Sequence, residues 1–163
     1  MGEKLENFVP SLLLITTLVL THLIAETHAI KLEKFGIYPR DIKGLKGILC
    51  SPLLHSDWKH LLNNAAPIFV LGVSLRYFYK KIAREVFLWS WFISGLWLWT
   101  FGREGCHIGA SGILYSTASF LFFSGIFRRH TKLMAVSLFV VFLYGGLVWG
   151  LFPIEEKISW EGH

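Results

Sequence analysis

Residues 60–79 read HLLNNAAPIFVLGVSLRYFY, a run that is apolar along most of its length yet opens with His60, Asn63 and Asn64. A chain needs roughly 20 mainly apolar residues to cross the hydrocarbon core of a bilayer as a helix. Four other stretches approach that length: Phe8 to about Ala25, Arg84 to Phe101, Ile108 to Phe127 and Leu133 to Leu151. Across the 163 residues the hydrophobic fraction is 53% and the charged fraction 17%, a balance that fits a membrane protein better than a soluble domain. The expected fold class is therefore an all-α polytopic membrane protein with five full transmembrane helices in this chain. The first run is a poor cleavable signal peptide: Glu3 and Glu6 flank Lys4, and the apolar stretch exceeds the usual span of roughly 7 to 15 residues. It is expected to stay in the mature protein.

The net charge of +5 does not point to nucleic acid, because the cations sit in the connections between apolar runs. There they orient the chain. Lys80, Lys81 and Arg84 occupy one short connection and Arg128, Arg129 and Lys132 another, whereas the connections at 102–107 and 152–158 hold only Arg103 and Lys157. This pattern predicts a cytoplasmic amino terminus, although Lys31, Lys34, Arg40, Lys43, Lys46 and Lys59 lie on the side it makes external. Cys50 and Cys106 fall on that external side, where an oxidising compartment would permit a disulfide between them; two free thiols are the expected state. No metal-ligand spacing and no cofactor motif is present, so neither a metal nor a cofactor is expected.

Connections after Tyr79 are short, which implies antiparallel neighbours in a single domain over residues 1–163. The exception is the loop 31–59. Gly36, Pro39, Gly44, Gly47 and Pro52 break any long helix there, while Phe35, Ile37, Leu45, Ile48 and Leu49 are too apolar for open water. Short helical pieces, half-submerged beside the bundle, are expected. Gly112, Ser116 and Ser119 predict a central, closely packed fourth span. Trp89, Trp91, Trp97 and Trp99 predict a lipid-facing or interfacial third span, away from any site.

Imidazoles, amides and hydroxyls at membrane depth are costly when unpaired and tend to mark function. His60 and Asn64 are spaced i, i+4, so on a helix they share a face; Ser111 and Tyr115 repeat that spacing. Two crossings separate His60 from Ser111 and two more separate Ser111 from His163, which puts all three on one side of the membrane in either orientation. A serine hydroxyl becomes a nucleophile when a base within hydrogen-bond reach takes its proton, and His163 is the candidate. His60, Asn64 and the backbone N–H of Ser111 are candidate donors to the resulting oxyanion. No carboxylate completes a triad: Glu161 would point away from His163 on a helix, and Asp57 reads as a loop residue. Each element also has a plainer role. Gly109-Ala110-Ser111-Gly112 can be a close helix contact, His60 and Asn64 can bridge helices, and Tyr115 can anchor at the interface. His22, Glu26, His28 and His130 read as interfacial polar residues and His107 as a solvated loop histidine.

Taken as a set, these residues resemble the rhomboid family of intramembrane serine proteases. The matching pattern is His60-Leu61-Leu62-Asn63-Asn64 preceded by His55, then Gly109-Ala110-Ser111-Gly112 with Tyr115, then Gly162-His163, and the resemblance runs from about Pro39 to the end. It implies a rhomboid-like helical bundle with Ser111 as nucleophile, His163 as base, His60 and Asn64 as oxyanion stabilisers, and Tyr115 as a ring supporting the base. Gly109, Gly112 and His55 would support the site. Phe152 to Lys157 and the fifth span would form the mobile gate and cap through which a substrate helix or water enters. Family members have at least six spans with the base near the start of the sixth, so a sixth helix is expected to follow His163 in the intact protein. Pro39-Arg40 stands where some bacterial members have Trp-Arg. The function implied is cleavage of transmembrane segments of client membrane proteins by a Ser-His dyad, in a bacterial cytoplasmic membrane. The alternative is a catalytically inactive rhomboid-like protein that binds transmembrane helices. A channel has no support, since the polar residues trace no continuous path.

Overall fold

The computed structural model describes residues 6–143, and the described chain is helical with one isolated antiparallel bridge, between Ile37 and His107. The six helices are α1 (Val9–Thr27), the single-turn α2 (Gly47–Cys50), α3 (Trp58–Phe78), α4 (Ala83–Phe101), α5 (Ser111–Phe127) and α6 (Thr131–Leu143). The end of the fifth apolar run, the segment Phe152 to Lys157 and His163 lie outside the described residues. At 1.5 Å per residue, the 19 residues of α1 and 21 of α3 extend about 28 and 32 Å, close to the roughly 30 Å of a hydrocarbon core. Among the described residues these two helices combine the length and apolarity to cross a membrane, and α5 is apolar but shorter, at 17 residues.

Local chemistry sets the helix starts that matter. α3 begins at Trp58, two residues before the apolar run, because the Asp57 carboxylate accepts the His60 backbone N–H at 2.8 Å. An N-cap aspartate satisfies a donor that the first helical turn leaves orphaned. Asp57 is thus a cap rather than a plain loop residue. α5 begins at Ser111, after Gly109 has turned the chain with φ of +120°.

The core forms where α3 and α5 present single faces to each other. Leu61, Ala65, Ile68, Leu71 and Leu75 repeat at helical spacing on α3, and Leu114, Ala118 and Leu121 do so on α5, with Leu18 of α1 and Leu133 of α6 closing the cluster. α5 packs against α3, α4 and α6, so it is central as expected. The face responsible differs from the expectation: Ser119 is exposed and Ser116 half-buried, while the Leu114–Leu121 face is buried.

Residues 31–57 contain three 3-10 turns besides α2 and are tied to α4 by backbone and indole hydrogen bonds. Trp91 donates to the Ile48 carbonyl at 3.1 Å, Trp99 to the Asp41 carbonyl at 2.9 Å, and the Arg40 guanidinium to the Gly102 carbonyl at 2.7 Å. This corrects the reading of the third span. Trp89 and Trp97 are exposed, but Trp91 and Trp99 face the loop and hold it.

The two ends of the bundle differ in character. At one end Lys80 pairs with Glu6 at 3.7 Å, and the Arg128 guanidinium lies 5.0 Å from the centre of the Tyr79 ring, so the basic connections gather there. At the other end Trp58 donates to Glu26 at 3.1 Å, Gly109 N–H donates to the Ser51 carbonyl at 2.9 Å, and Ile37 pairs with His107. Ser111 opens α5 at this second end. Cys50 and Cys106 are half-buried free thiols.

Candidate functional site: the heads of α3 and α5

The first turn of α3 and the segment leading into α5 are far apart in sequence and meet through side chains that had been singled out. His60 and Asn64 lie one turn apart on α3, and the Asn64 amide donates to the His60 carbonyl at 3.2 Å. Their outer ends face the backbone of Gly109. A Cβ built on that glycine would lie 2.8 Å from His60 Nε2, 2.9 Å from His60 Cε1 and 3.9 Å from Asn64 Nδ2. Only glycine combines that space with a φ of +120°. His60, and at greater distance Asn64, therefore approach the main chain two residues ahead of Ser111.

Ser111 is half-buried and is the first residue of α5, where helix N–H groups lack intrahelical partners and the helix dipole is positive. Tyr115, one turn on, is buried. Ser111, Gly109 and Gly112 line a cavity of about 30 Å³ together with Ile37, Ser51 and Pro52 of the loop and Ser94, Gly95 and Leu98 of α4. That volume accepts a molecule of water size. α4 therefore reaches the site, contrary to the expectation for the third span: its small residues Ser94 and Gly95 face inward while its large aromatics lie elsewhere on the helix. Alternation of small and bulky residues along WSWFISGLWLW was the available signal.

His55 is buried, with its ring 4.9 Å from that of His60 in an edge-on arrangement. Burial, followed by the neighbouring His60 and His22, pushes its pKa down to about 3, so it is neutral at physiological pH. His22 is also buried, packed edge-on against Trp58 at 4.7 Å, and is not the interfacial residue expected. His107, expected to be solvated, is buried, with Nε2 at 2.9 Å from the Arg103 carbonyl and its main chain bridged to Ile37. It lines the cavity beside Ser111.

Ser56, which the sequence reading does not single out, and Asp57, which it reads as a loop residue, adjoin His60. The Ser56 hydroxyl donates to Asp57 Oδ2 at 2.7 Å and lies 3.2 Å from His60 Nδ1. The His60 backbone N–H, followed by the Ser56 hydroxyl, holds the Asp57 carboxyl below its ordinary pKa. The signal was an Asp three residues ahead of His60 at the mouth of an apolar run, which is an N-cap position. Among the described residues no cluster of three His, Cys, Asp or Glu could hold a metal ion.

In chemical terms, an imidazole nitrogen and an amide approach the backbone at Gly109, two residues ahead of the serine that opens α5. Such donors suit a developing negative charge. His163 lies outside the described residues.

Comparison with known proteins bears on the whole chain. An uncharacterized protein of Mycobacterium tuberculosis and one of Mycobacterium bovis are each 33% identical over 162 residues, covering 91% of this chain and 66% of the relative. An uncharacterized protein of Mycobacterium leprae is 31% identical over 159 residues, covering 90% of this chain and 61% of the relative. The chain thus spans less than two thirds of the length of the curated relatives it matches. No solved structure matches it. Residues 44–163, which include both helix heads described above, match the Rhomboid domain, and the chain belongs to the rhomboid family of membrane proteins.

Proposed function

We propose that this protein is an intramembrane serine endopeptidase that cleaves transmembrane segments of client membrane proteins. The observation that carries the reading is the approach of His60 Nε2 and, further off, Asn64 Nδ2 to the backbone at Gly109, two positions ahead of Ser111. Rhomboid family membership supports it, because the family is generally made of intramembrane serine peptidases.

In this reading the Ser111 hydroxyl attacks the scissile carbonyl while His163 takes its proton. The carbonyl oxygen becomes an oxyanion, which His60, Asn64 and the Ser111 backbone N–H stabilise; each such donor is worth roughly 10²–10³ in rate. The C–N bond then breaks, the proton passes from His163 to the leaving amine, and water hydrolyses the acyl-serine to restore Ser111. Tyr115 supports the base, and Gly109, Gly112 and His55 shape the surroundings. A client helix must unwind to expose its carbonyl, so clients with helix-weakening Gly or Pro are favoured.

The architecture that goes with this reading is one domain over residues 1–163 with five spans, a membrane-associated loop at 31–59 and a cytoplasmic amino terminus. The site then opens near the external face, in a bacterial cytoplasmic membrane. Partners are client transmembrane helices and the bilayer itself.

A fluorophosphonate probe applied to the full-length protein in liposomes tests the nucleophile. Labelling that maps to Ser111, is lost in Ser111→Ala and persists in Ser116→Ala is the expected result. An unlabelled wild type that still captures a transmembrane peptide would favour a helix-binding, inactive rhomboid-like protein.

A further inference from the structure

We infer that Asp57, acting through Ser56, fixes the tautomer of His60, placing the ring hydrogen on Nδ1 and leaving Nε2, the nitrogen that faces Gly109, as a lone pair when the ring is neutral. The inference rests on the functional reading above only for its consequence, since the hydrogen-bond logic stands on geometry.

An ionised carboxylate accepts hydrogen bonds and cannot donate. Asp57 Oδ1 accepts the His60 backbone N–H at 2.8 Å and Oδ2 accepts the Ser56 hydroxyl at 2.7 Å. Ser56 has a single hydrogen and commits it to Asp57, so toward His60 Nδ1, 3.2 Å away, its oxygen can only accept. Nδ1 must then carry the hydrogen. A neutral imidazole has one N–H, which leaves Nε2 bare.

The surroundings of the ring do not reverse this assignment. Asp57 and Ser56 face it from the loop ahead of α3, with Asp57 the charged member of the pair. His55 packs edge-on against it and is neutral, and from the α5 side it meets the uncharged backbone of Gly109. His22 packs edge-on against Trp58 and acts electrostatically on His55.

The consequence is a division of labour. The Asn64 amide donates at any pH, whereas His60 donates through Nε2 only when it has taken a second proton, with Asp57 as counter-charge across Ser56. Ser56 and Asp57 are positioning residues, which act on the oxyanion through His60.

The test is nitrogen NMR of the full-length protein with ¹⁵N-labelled histidine, at a pH where His60 is neutral and with His60→Gln to assign its signals. The expected result is a protonated Nδ1 and a bare Nε2 in the wild type. Ser56→Ala removes the acceptor and loses that preference. In Asp57→Asn the amide can donate to Ser56, turning the hydroxyl toward Nδ1, so the hydrogen moves to Nε2. Asparagine caps a helix as well as aspartate does, so this change leaves α3 intact, which circular dichroism checks. A wild type with Nε2–H, or the Nδ1–H tautomer retained in both variants, overturns the inference. The NMR result does not depend on proteolysis: the tautomer found as expected in a protein that the serine probe does not label would sink the peptidase reading alone.

Discussion

Gly109→Ala probes the point where α3 meets the entry to α5. The backbone there has φ of +120°, a region that L-residues rarely adopt, and holding a non-glycine residue in it costs of order 1–3 kcal/mol. The new methyl would also sit 2.8 Å from His60 Nε2 and 2.9 Å from Cε1. Neither neighbour yields easily, because Gly109 is held by its N–H bond to the Ser51 carbonyl at 2.9 Å and His60 is held by Ser56. Crowding of this kind adds about 1–3 kcal/mol. Gly105→Ala is the matched control, since Gly105 has φ of +141° but nothing within 4 Å of its Cβ position. It should show the backbone cost alone. In denaturant unfolding of micelle-solubilised protein, Gly109→Ala should be less stable than Gly105→Ala by about 1–3 kcal/mol. Displacement of His60 should also slow reporter cleavage on the order of 10²-fold, while Gly105→Ala keeps near-normal turnover. Equal stability and equal turnover in the two variants would refute the contact.

Further outcomes follow from other parts of the site. Asn64→Ala and His60→Ala should each lower kcat by roughly 10²–10³ with smaller effects on KM, because an oxyanion donor acts in the transition state; steady-state kinetics on a fluorogenic transmembrane reporter reads this. His55 has a folded pKa of about 3 against about 6.5 in an unfolded chain. The unfolded state therefore binds the proton first. Stability should be full above about pH 6.5 and fall as pH drops toward 3, by up to about 1.4 kcal/mol per unit; thermal melts at pH 7 and 5 should show that slope flattened in His55→Phe. Trp99→Phe removes the indole donor to the Asp41 carbonyl and should cost about 0.5–1.5 kcal/mol, seen as faster limited proteolysis within residues 31–57.

Much of the helical layout was legible because apolar runs of bilayer length leave few alternatives. The apolar runs fall within a few residues of α1, α3, α4 and α5. The polar residues inside them were legible for the same reason, since His60, Asn64 and Ser111 have no place in a purely lipid-facing helix. What stayed hidden depends on tertiary direction. Composition cannot tell a tryptophan that faces lipid from one whose indole holds a loop carbonyl, as Trp91 and Trp99 do. Spacing likewise cannot show which stripe of α5 is buried, and Gly112, Ser116 and Ser119 suggested a different one from Leu114, Ala118 and Leu121. Buried histidines were missed because His22 and His107 lie near the ends of apolar runs, where exposure is the ordinary outcome. Packing against Trp58 and pairing with Ile37 are tertiary contacts that accompany their burial.

The central claim is that this rhomboid protein cuts peptide bonds with Ser111. Its most direct measurement is cleavage of a single-span reporter bearing a Gly- or Pro-weakened transmembrane helix, co-reconstituted in liposomes with the full-length protein or its Ser111→Ala variant. The account predicts a cut in or next to the reporter's membrane segment, present with the wild type and absent with Ser111→Ala. An equal cut with both proteins, or an intact reporter with both, would contradict it.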